Sequence, residues 1–426
     1  MNTSTNLIAE LQWRGMIQDI IPGTEEWMMK EKVSGYIGFD PTSDSLHIGS
    51  LVPILLLVHL QRAGHRPIAL VGGATGMVGD PSGKSEERNL LSEEVLQHNV
   101  EGVRKQLSKF LDFSSNNPQA AVLVNNYDWF KGLDFLTFIR DVGKHITVNY
   151  MMAKDSVKKR LEGENGMSFT EFSYQLVQGY DFYWLYNHHK CRLQMGGSDQ
   201  WGNILTGAEL IRRKSGGEAY AFTCPLITKS DGGKFGKTEK GNVWLDAQKT
   251  TPYQFYQFWL NASDEDAEKW IKIFTLLTQD SINELIASHR EKPEARTLQQ
   301  QLALEVTTFV HGKEVLESIL ETTRAFFGGD ALNFIKNTPP ETLEKAGMPT
   351  LPYHGEWPVN VVTLLAESGS FSSKGEARKM IQAGGVSINE QKVTDIQLQI
   401  DDSFLLNGKY LLVRRGKKQL DLLIRG

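Results

Sequence analysis

An α/β architecture, a Rossmann-like parallel sheet followed by an all-α domain and a small α+β unit, is what this sequence predicts. From Gly35 to about Pro225 short apolar runs alternate with amphipathic stretches, the signature of parallel strands joined by crossover helices. After Thr250 amphipathic helices follow one another without strands, and beyond a proline-bearing stretch helix and strand patterns mix again.

Residues 35–39 read as the first strand, 46–63 as a helix closed by Gly64, and 67–71 as an apolar strand covered on both faces. Residues 122–124 and 192–195 read as further strands, and 199–214 as a helix. Helices are expected over 252–260, 265–277, 281–289 and 295–311, and the late unit should hold a helix over 374–382 and a strand over 386–388. The expected division is a catalytic domain over 1–250, a helical domain over 251–346, a linker over 347–358 marked by Pro349, Pro352 and Pro358, and a third domain over 359–426.

The chain has 426 residues, enough for two to four domains at roughly 100–200 residues each. Its net charge of -5 excludes non-specific coating of nucleic acid, which depends on summed phosphate neutralisation, so any RNA contact must be local. Cys191 and Cys224 have no CxxC spacing, which points to a reducing compartment, the cytoplasm, and to no metal site. Residues 2–21 carry Glu10 and Asp19 and lack a signal-peptide pattern, and the apolar run 51–60 is too short for a bilayer, which needs about 20 residues. No membrane role is expected.

Chemistry is sought at the strand ends, where open α/β sheets bind ligands. Residues 38–51, GFDPTSDSLHIGSL, place a strand end, a proline turn and a helix start together. A helix start is an anion site, and Thr42 and His47 add donors. Residues 70–88, LVGGATGMVGDPSGKSEER, bring Lys84 and Arg88 toward an anion with Asp80 nearby. The stretch is neither a Walker A loop, because Val78 stands where its first glycine belongs, nor a GxGxxG fingerprint. Residues 234–238, KFGKT, present Lys234 and Lys237 around a glycine, a pair able to neutralise charge developing on a triphosphate.

Taken in order, HIGS at 47–50, LQMGGSDQW at 193–201 and KFGKT resemble the HIGH and KMSKS signatures of class I aminoacyl-tRNA synthetases. GFDPT, GDPSGK, NNYDW at 125–129 and EFSYQLVQGYDF at 171–182 make the resemblance one to the tyrosyl members, bacterial type. Ser50 stands where HIGH has its second histidine, and KMSKS is relaxed to KFGKT with both lysines kept.

The resemblance implies activation of L-tyrosine by ATP, accompanied by Mg²⁺, and transfer of tyrosine to the 3′-terminal ribose of tRNA(Tyr). It implies a catalytic set of Thr42, His47, Lys84, Arg88, Lys234 and Lys237. It gives tyrosine to Tyr36, Asp80, Asn126, Tyr174, Gln178 and Asp181, with Tyr36 and Asp181 at the phenol. ATP falls to Gly38, Asp40, Ser50, Gly197, Asp199, Gln200 and Lys237. Tyr174, Gln178 and Asp181 lie at i, i+4 and i+7, so a helix would set them on one face. Residues 371–393 resemble an S4 RNA-binding domain, with Lys374, Arg378 and Lys379 as its basic helical edge. A homodimer is also implied. A tryptophanyl-tRNA synthetase and a non-catalytic RNA-binding paralogue are the alternatives.

Overall fold

The computed structural model describes residues 6–82, 91–162, 166–238, 241–327, 331–346, 350–416 and 419–426. It divides into two compact units, one made of 1–246 with 263–298, the other of 247–262 with 299–426.

The first unit is built on a five-stranded parallel sheet: β1 (Ser34–Phe39), β2 (Arg66–Val71), β3 (Val122–Asn125), β4 (Cys191–Gly197) and β5 (Tyr220–Cys224). The strand order is β3-β2-β1-β4-β5, so the chain winds outward from β1 in one direction and then returns to β1's other side. The carboxyl ends of β1 and β4 therefore flank the point where the winding reverses, and a crevice opens there.

Helix α1 (Leu51–Arg62) connects β1 to β2 and is buried along almost its whole length, as its unbroken apolar run requires. It starts later than residue 46 because the segment before it is otherwise engaged. The Ile48 N–H donates to the Val243 carbonyl at 2.9 Å, and a 3₁₀ turn over Ile48–Ser50 precedes the helix. Gly64, at φ 85°, ends the turn that follows it. Helix α2 (Phe169–His189) is capped by Ser168, whose hydroxyl accepts from the Glu171 N–H at 3.2 Å, and it leads into β4. Helix α3 (Trp201–Ser215) follows a 3₁₀ turn over Ser198–Gln200 and stops at Gly216, again at positive φ.

Two helices beyond residue 250, Asp264–Phe274 and Gln279–Glu291, pack with this unit. Arg14 ties the chain's start to the end of the first of them: its buried guanidinium donates to the carbonyls of Lys272, Thr275 and Leu277 at 2.6, 2.8 and 2.6 Å. The Lys272 carbonyl lies in the last helical turn and the other two just beyond it, where intrahelical partners run out.

In the second unit, Pro252–Leu260 opens with a capping box between Thr251 and Gln254. The helices Lys313–Phe327, Ala331–Asn337 and Pro340–Ala346 then lead to a five-stranded sheet. Its order is Gln391–Lys392, Val386–Ile388, Tyr410–Arg415, Gln419–Arg425, Thr350–Tyr353. The last pair is parallel and the others are antiparallel. Thr350–Tyr353 lies inside the stretch read as a linker. Its prolines did not prevent a strand because Pro352 sits on the sheet's edge, where no outward N–H is needed. Phe326, Ala331, Ile335 and Leu343 share a core with Leu406, Tyr410, Leu412 and Leu422, so a cut at 359 would open that core.

Candidate active site

A cavity of 920 Å³ opens at the carboxyl ends of β1 and β4, entirely within the first unit. Residues Tyr36, Ile37, Gly38 and Phe39 at the end of β1, and Asp40 after it, line the crevice. Tyr36 pairs in register with Gln194 of β4, so the two central strands set polar side chains side by side. Helix α2 crosses these ends and adds Tyr174, Gln178 and Asp181 from a single face. Gly197, Asp199 and Gln200 come from the end of β4 and the turn after it.

A continuous chain of hydrogen bonds joins these elements. Tyr174 donates to Asp40 Oδ2 at 2.9 Å, and Thr75 donates to Asp40 Oδ1 at 2.7 Å. Asn126 Nδ2 donates both to Thr75 Oγ1, at 3.1 Å, and to Asp181 Oδ2, at 3.0 Å. Trp129 Nε1 completes the chain on Asp181 Oδ1 at 2.9 Å. Gly72 is what lets β2 end beneath the Asp40 and Thr75 pair, because a Cβ there would lie 2.2 Å from both side chains. A second chain runs from Asn203 to Gln178 at 3.1 Å and from Gln200 to Asp80 at 2.8 Å.

Asp181 is 2% exposed, and burial pushes its carboxyl up to about 8 against the pull of its two donors. Tyr36 is buried as well, and its hydroxyl has no hydrogen-bond partner among the described residues. Burial, with the Asp181 carboxylate nearby, holds that phenol well above its ordinary value. An unpaired buried hydroxyl costs about 1–3 kcal/mol, a penalty that a polar ligand entering the cavity would relieve. Burial also raises the Asp199 carboxyl.

Thr42, His47, Ser50 and Lys234 also line the cavity. His47 Nδ1 accepts from the Gly49 N–H at 3.0 Å, so Nε2 carries the proton of the neutral ring and is a donor. The KFGKT segment rests directly on this turn. Gly236, at φ 80°, brings its backbone so close to Ile48 that a Cβ would lie 3.0 Å from Ile48 Cγ1. Phe235 packs on Trp270 and Phe274 with ring centroids 5.0 and 5.1 Å away, and residues 243 and 245 bond Ile48 and Leu46 at 2.9 Å. The two motifs, distant in sequence, are thus strapped together.

Of the residues singled out from sequence, fourteen line this one cavity: Tyr36, Gly38, Asp40, Thr42, His47, Ser50, Asp80, Tyr174, Gln178, Asp181, Gly197, Asp199, Gln200 and Lys234. Asn126 stands behind Asp181 and does not line the space. Lys84 and Arg88 lie outside the described residues, as does the Lys237 side chain; the Lys237 backbone pairs with Asn242, which lines the cavity. Lys374, Arg378 and Lys379 belong to the second unit, exposed on the helix Lys374–Gln382, with Lys374 bonded to Glu367 at 3.0 Å. Sequence reasoning missed Gln194, Thr75, Asn203 and Trp129. A glutamine inside the apolar run of β4 was a usable signal for the first; the others gave none. Among the described residues no group of three or more His, Cys, Asp or Glu is arranged to hold a metal ion.

Residues 28–328 match the family model for class I tRNA synthetases (W and Y), and residues 341–423 match that of the tyrosine–tRNA ligase SYY-like C-terminal domain. A tyrosine–tRNA ligase of Parabacteroides distasonis is 60% identical over 98% of this chain and 99% of its own length. The chain belongs to the tyrosyl-tRNA synthetase family. A further member, from Bacteroides thetaiotaomicron, is 57% identical over 98% of the chain and 99% of its own length. Among solved structures, a C-terminally truncated mitochondrial tyrosyl-tRNA synthetase of Aspergillus nidulans superimposes with a TM-score of 0.68 at 30% identity, covering 76% of this chain and 94% of that one. A tryptophanyl-tRNA synthetase of Encephalitozoon cuniculi shares the fold, with a TM-score of 0.51 at 15% identity over 71% of this chain and 84% of that one.

The raised Asp181 carboxyl of this synthetase has a consequence for stability. Between its ordinary value of 3.8 and about 8 the folded chain holds a proton that the unfolded chain has released, so stability falls as pH rises through that window. Asp181→Asn removes the titration. In urea unfolding at pH 5, 6, 7 and 8, its stability relative to the parent should improve by about 1.4 kcal/mol per pH unit. Parallel pH profiles for the two proteins would contradict it.

Proposed function

We infer that this chain activates L-tyrosine with ATP, giving tyrosyl-adenylate and pyrophosphate, and then passes the tyrosyl group to the 3′-terminal ribose of tRNA(Tyr). The observation that carries the reading is one cavity lined both by a phenol-matched pair, Tyr36 and Asp181, and by His47, Ser50 and Lys234 of the HIGS and KFGKT motifs.

Tyr36 donates or accepts at the substrate phenol and Asp181 accepts from it. Phenylalanine would leave the buried Tyr36 hydroxyl unpaired and give Asp181 nothing beyond its two protein donors, which is how a site rejects an analogue that lacks a hydroxyl. Asp80, Tyr174 and Gln178 receive the substrate ammonium, whose charge suits the Asp80 carboxylate. Asn126 acts from behind, holding Asp181. Gly38, Asp40, Ser50, Gly197, Asp199 and Gln200 take the adenosine and ribose. The substrate carboxylate then attacks the α-phosphorus, the bond to pyrophosphate breaks, and Thr42, His47, Lys84, Arg88, Lys234 and Lys237 stabilise the charge that develops on the phosphate oxygens. No protein nucleophile takes part. Magnesium, held by the nucleotide's own phosphates, would supply further neutralisation of their charge, in keeping with the reluctance of that ion to enter all-protein cages.

The domain roles follow the four-part division read from sequence, 1–250 for catalysis, 251–346 and 359–426 for tRNA, with Lys374, Arg378 and Lys379 as a phosphate-facing edge. A homodimer is supported by exposed apolar side chains on the first unit: Phe135 and Leu136 are 64 and 76% exposed, and Val148 and Phe169, 59 and 64% exposed, line a groove of 480 Å³. The cytoplasm is supported by Cys191 and Cys224, both free thiols, and no described helix is long and apolar enough to cross a membrane.

Tyrosine-dependent pyrophosphate exchange tests the reaction; exchange driven by tryptophan or phenylalanine in place of tyrosine would overturn it. Lys234→Ala should lower kcat for exchange at least about 10-fold while tyrosine KM stays within about twofold, since a contact made to the transition state acts on the rate. Equal kcat for variant and parent removes the role. Reversing Lys374, Arg378 and Lys379 to glutamate should leave exchange untouched and weaken tRNA charging at least about 10-fold at low salt; unchanged charging would remove the basic edge from the tRNA site. For the dimer, Leu136→Asp should shift the sedimentation of the enzyme toward the monomer, and an unaltered profile would count against that surface.

A further inference from the structure

We propose that Trp184 is a positioning residue for substrate selection: stacked on Trp129, it holds the indole N–H on Asp181 and so fixes the carboxylate that meets the substrate's phenol. The proposal rests on the reading of Asp181 as the phenol's partner.

Asp181 has two donors, and they are secured very differently. Asn126 is anchored by its own network: its Oδ1 accepts from the Ala74 N–H at 2.6 Å, its Nδ2 reaches Thr75, and its backbone N–H donates to Val71 at 3.1 Å. Trp129 sits on the four-residue helix Tyr127–Phe130, none of whose residues is buried. The indole leans instead on the core that holds Tyr36 and Leu70 and on a ring of helix α2. Trp184 lies parallel to Trp129 with ring centroids 4.2 Å apart and planes 11° from each other, and His188 covers the far face of Trp184 at 4.2 Å and 13°. Asp181, Trp184 and His188 stand at i, i+3 and i+7, so one helical face carries both the carboxylate and the stack that orients its donor.

The consequence for selection follows from geometry. An indole has one N–H in the plane of its ring, and a stacked partner confines that plane while a single hydrogen bond does not. With the plane free, Asp181 loses a fixed donor and gains room to turn toward other partners. A carboxylate able to satisfy itself elsewhere no longer suffers when phenylalanine enters, so discrimination weakens even though the phenol site is still present.

The test uses the full chain and pyrophosphate exchange with tyrosine and with phenylalanine. Trp184→Ala should raise tyrosine KM about 3- to 10-fold and lower the ratio of kcat/KM for tyrosine over phenylalanine by a similar factor, with ATP KM within about twofold. Trp184→Phe, which keeps an aromatic plane, should restore most of both. On a Trp129→Phe background, which lacks the donor, Trp184→Ala should add nothing, because the two act through one bond. An unchanged tyrosine KM and ratio in a folded Trp184→Ala enzyme overturns the proposal, as does an equal rise in ATP KM or full additivity with Trp129→Phe. Should the alanine variant not fold, Trp184→Leu keeps the apolar cover without the plane and is read by the same criteria. Asp181→Asn, measured alongside, separates two failures. A normal ratio there removes the phenol reading, whereas a collapsed ratio there beside an unaffected Trp184→Ala removes only the role of Trp184.

Discussion

Parallel pairing of β1 with β4 at the centre of the sheet is the constraint on which the rest depends. Because the winding reverses at β1, a crevice opens at the ends of this pair, and the register of Tyr36 with Gln194 places polar side chains in its lining. A central strand is ordinarily apolar on both faces. Here the positions that face the crevice depart from that rule, and the exposed Gly38 at the strand's end leaves room where any side chain would intrude on a ligand.

Four carboxyl groups, of Asp40, Asp80, Asp181 and Asp199, line the crevice together with His47 and Lys234. Carboxylates placed so near one another in a half-buried space repel, and the structure answers with donors: Tyr174 and Thr75 on Asp40, Gln200 on Asp80, Asn126 and Trp129 on Asp181. Such a network is stiff only if each member is itself held, since a partly satisfied buried network is costly and adaptable. The stacking of aromatic rings behind Trp129 belongs to the same requirement.

The lysine motif obeys a different logic. Glycines let two segments approach one another, and aromatic packing of Phe235 on the helix Asp264–Phe274 keeps the KFGKT segment over the HIGS turn. That helix, read from sequence as part of a separate helical domain, packs with the catalytic unit because its apolar face is needed there. Arg14 secures its end. The KFGKT segment is thus held by the packing of Phe235, the residue next to Lys234.

The sequence by itself determined the strands at 35–39, 67–71, 122–124, 192–195 and 386–388, the helices over 252–260 and 374–382, and the glycine and lysine motifs, because hydrophobic period, capping residues and local turn chemistry are written within a few residues of one another. It also determined the residue types of the crevice, since His47, Asp181 and Lys234 stand out against apolar or plain surroundings. Tertiary structure alone decided which of these meet. The late start of α1 came from a bond between Ile48 and Val243, and the edge strand at Thr350–Tyr353 from a partner near the other end of the chain. Asn126 went behind Asp181, and Trp129 found both Asp181 and Trp184, through the approach of β3 to α2. Contacts between residues so far apart along the chain depend on how elements pack, and no local pattern encodes them.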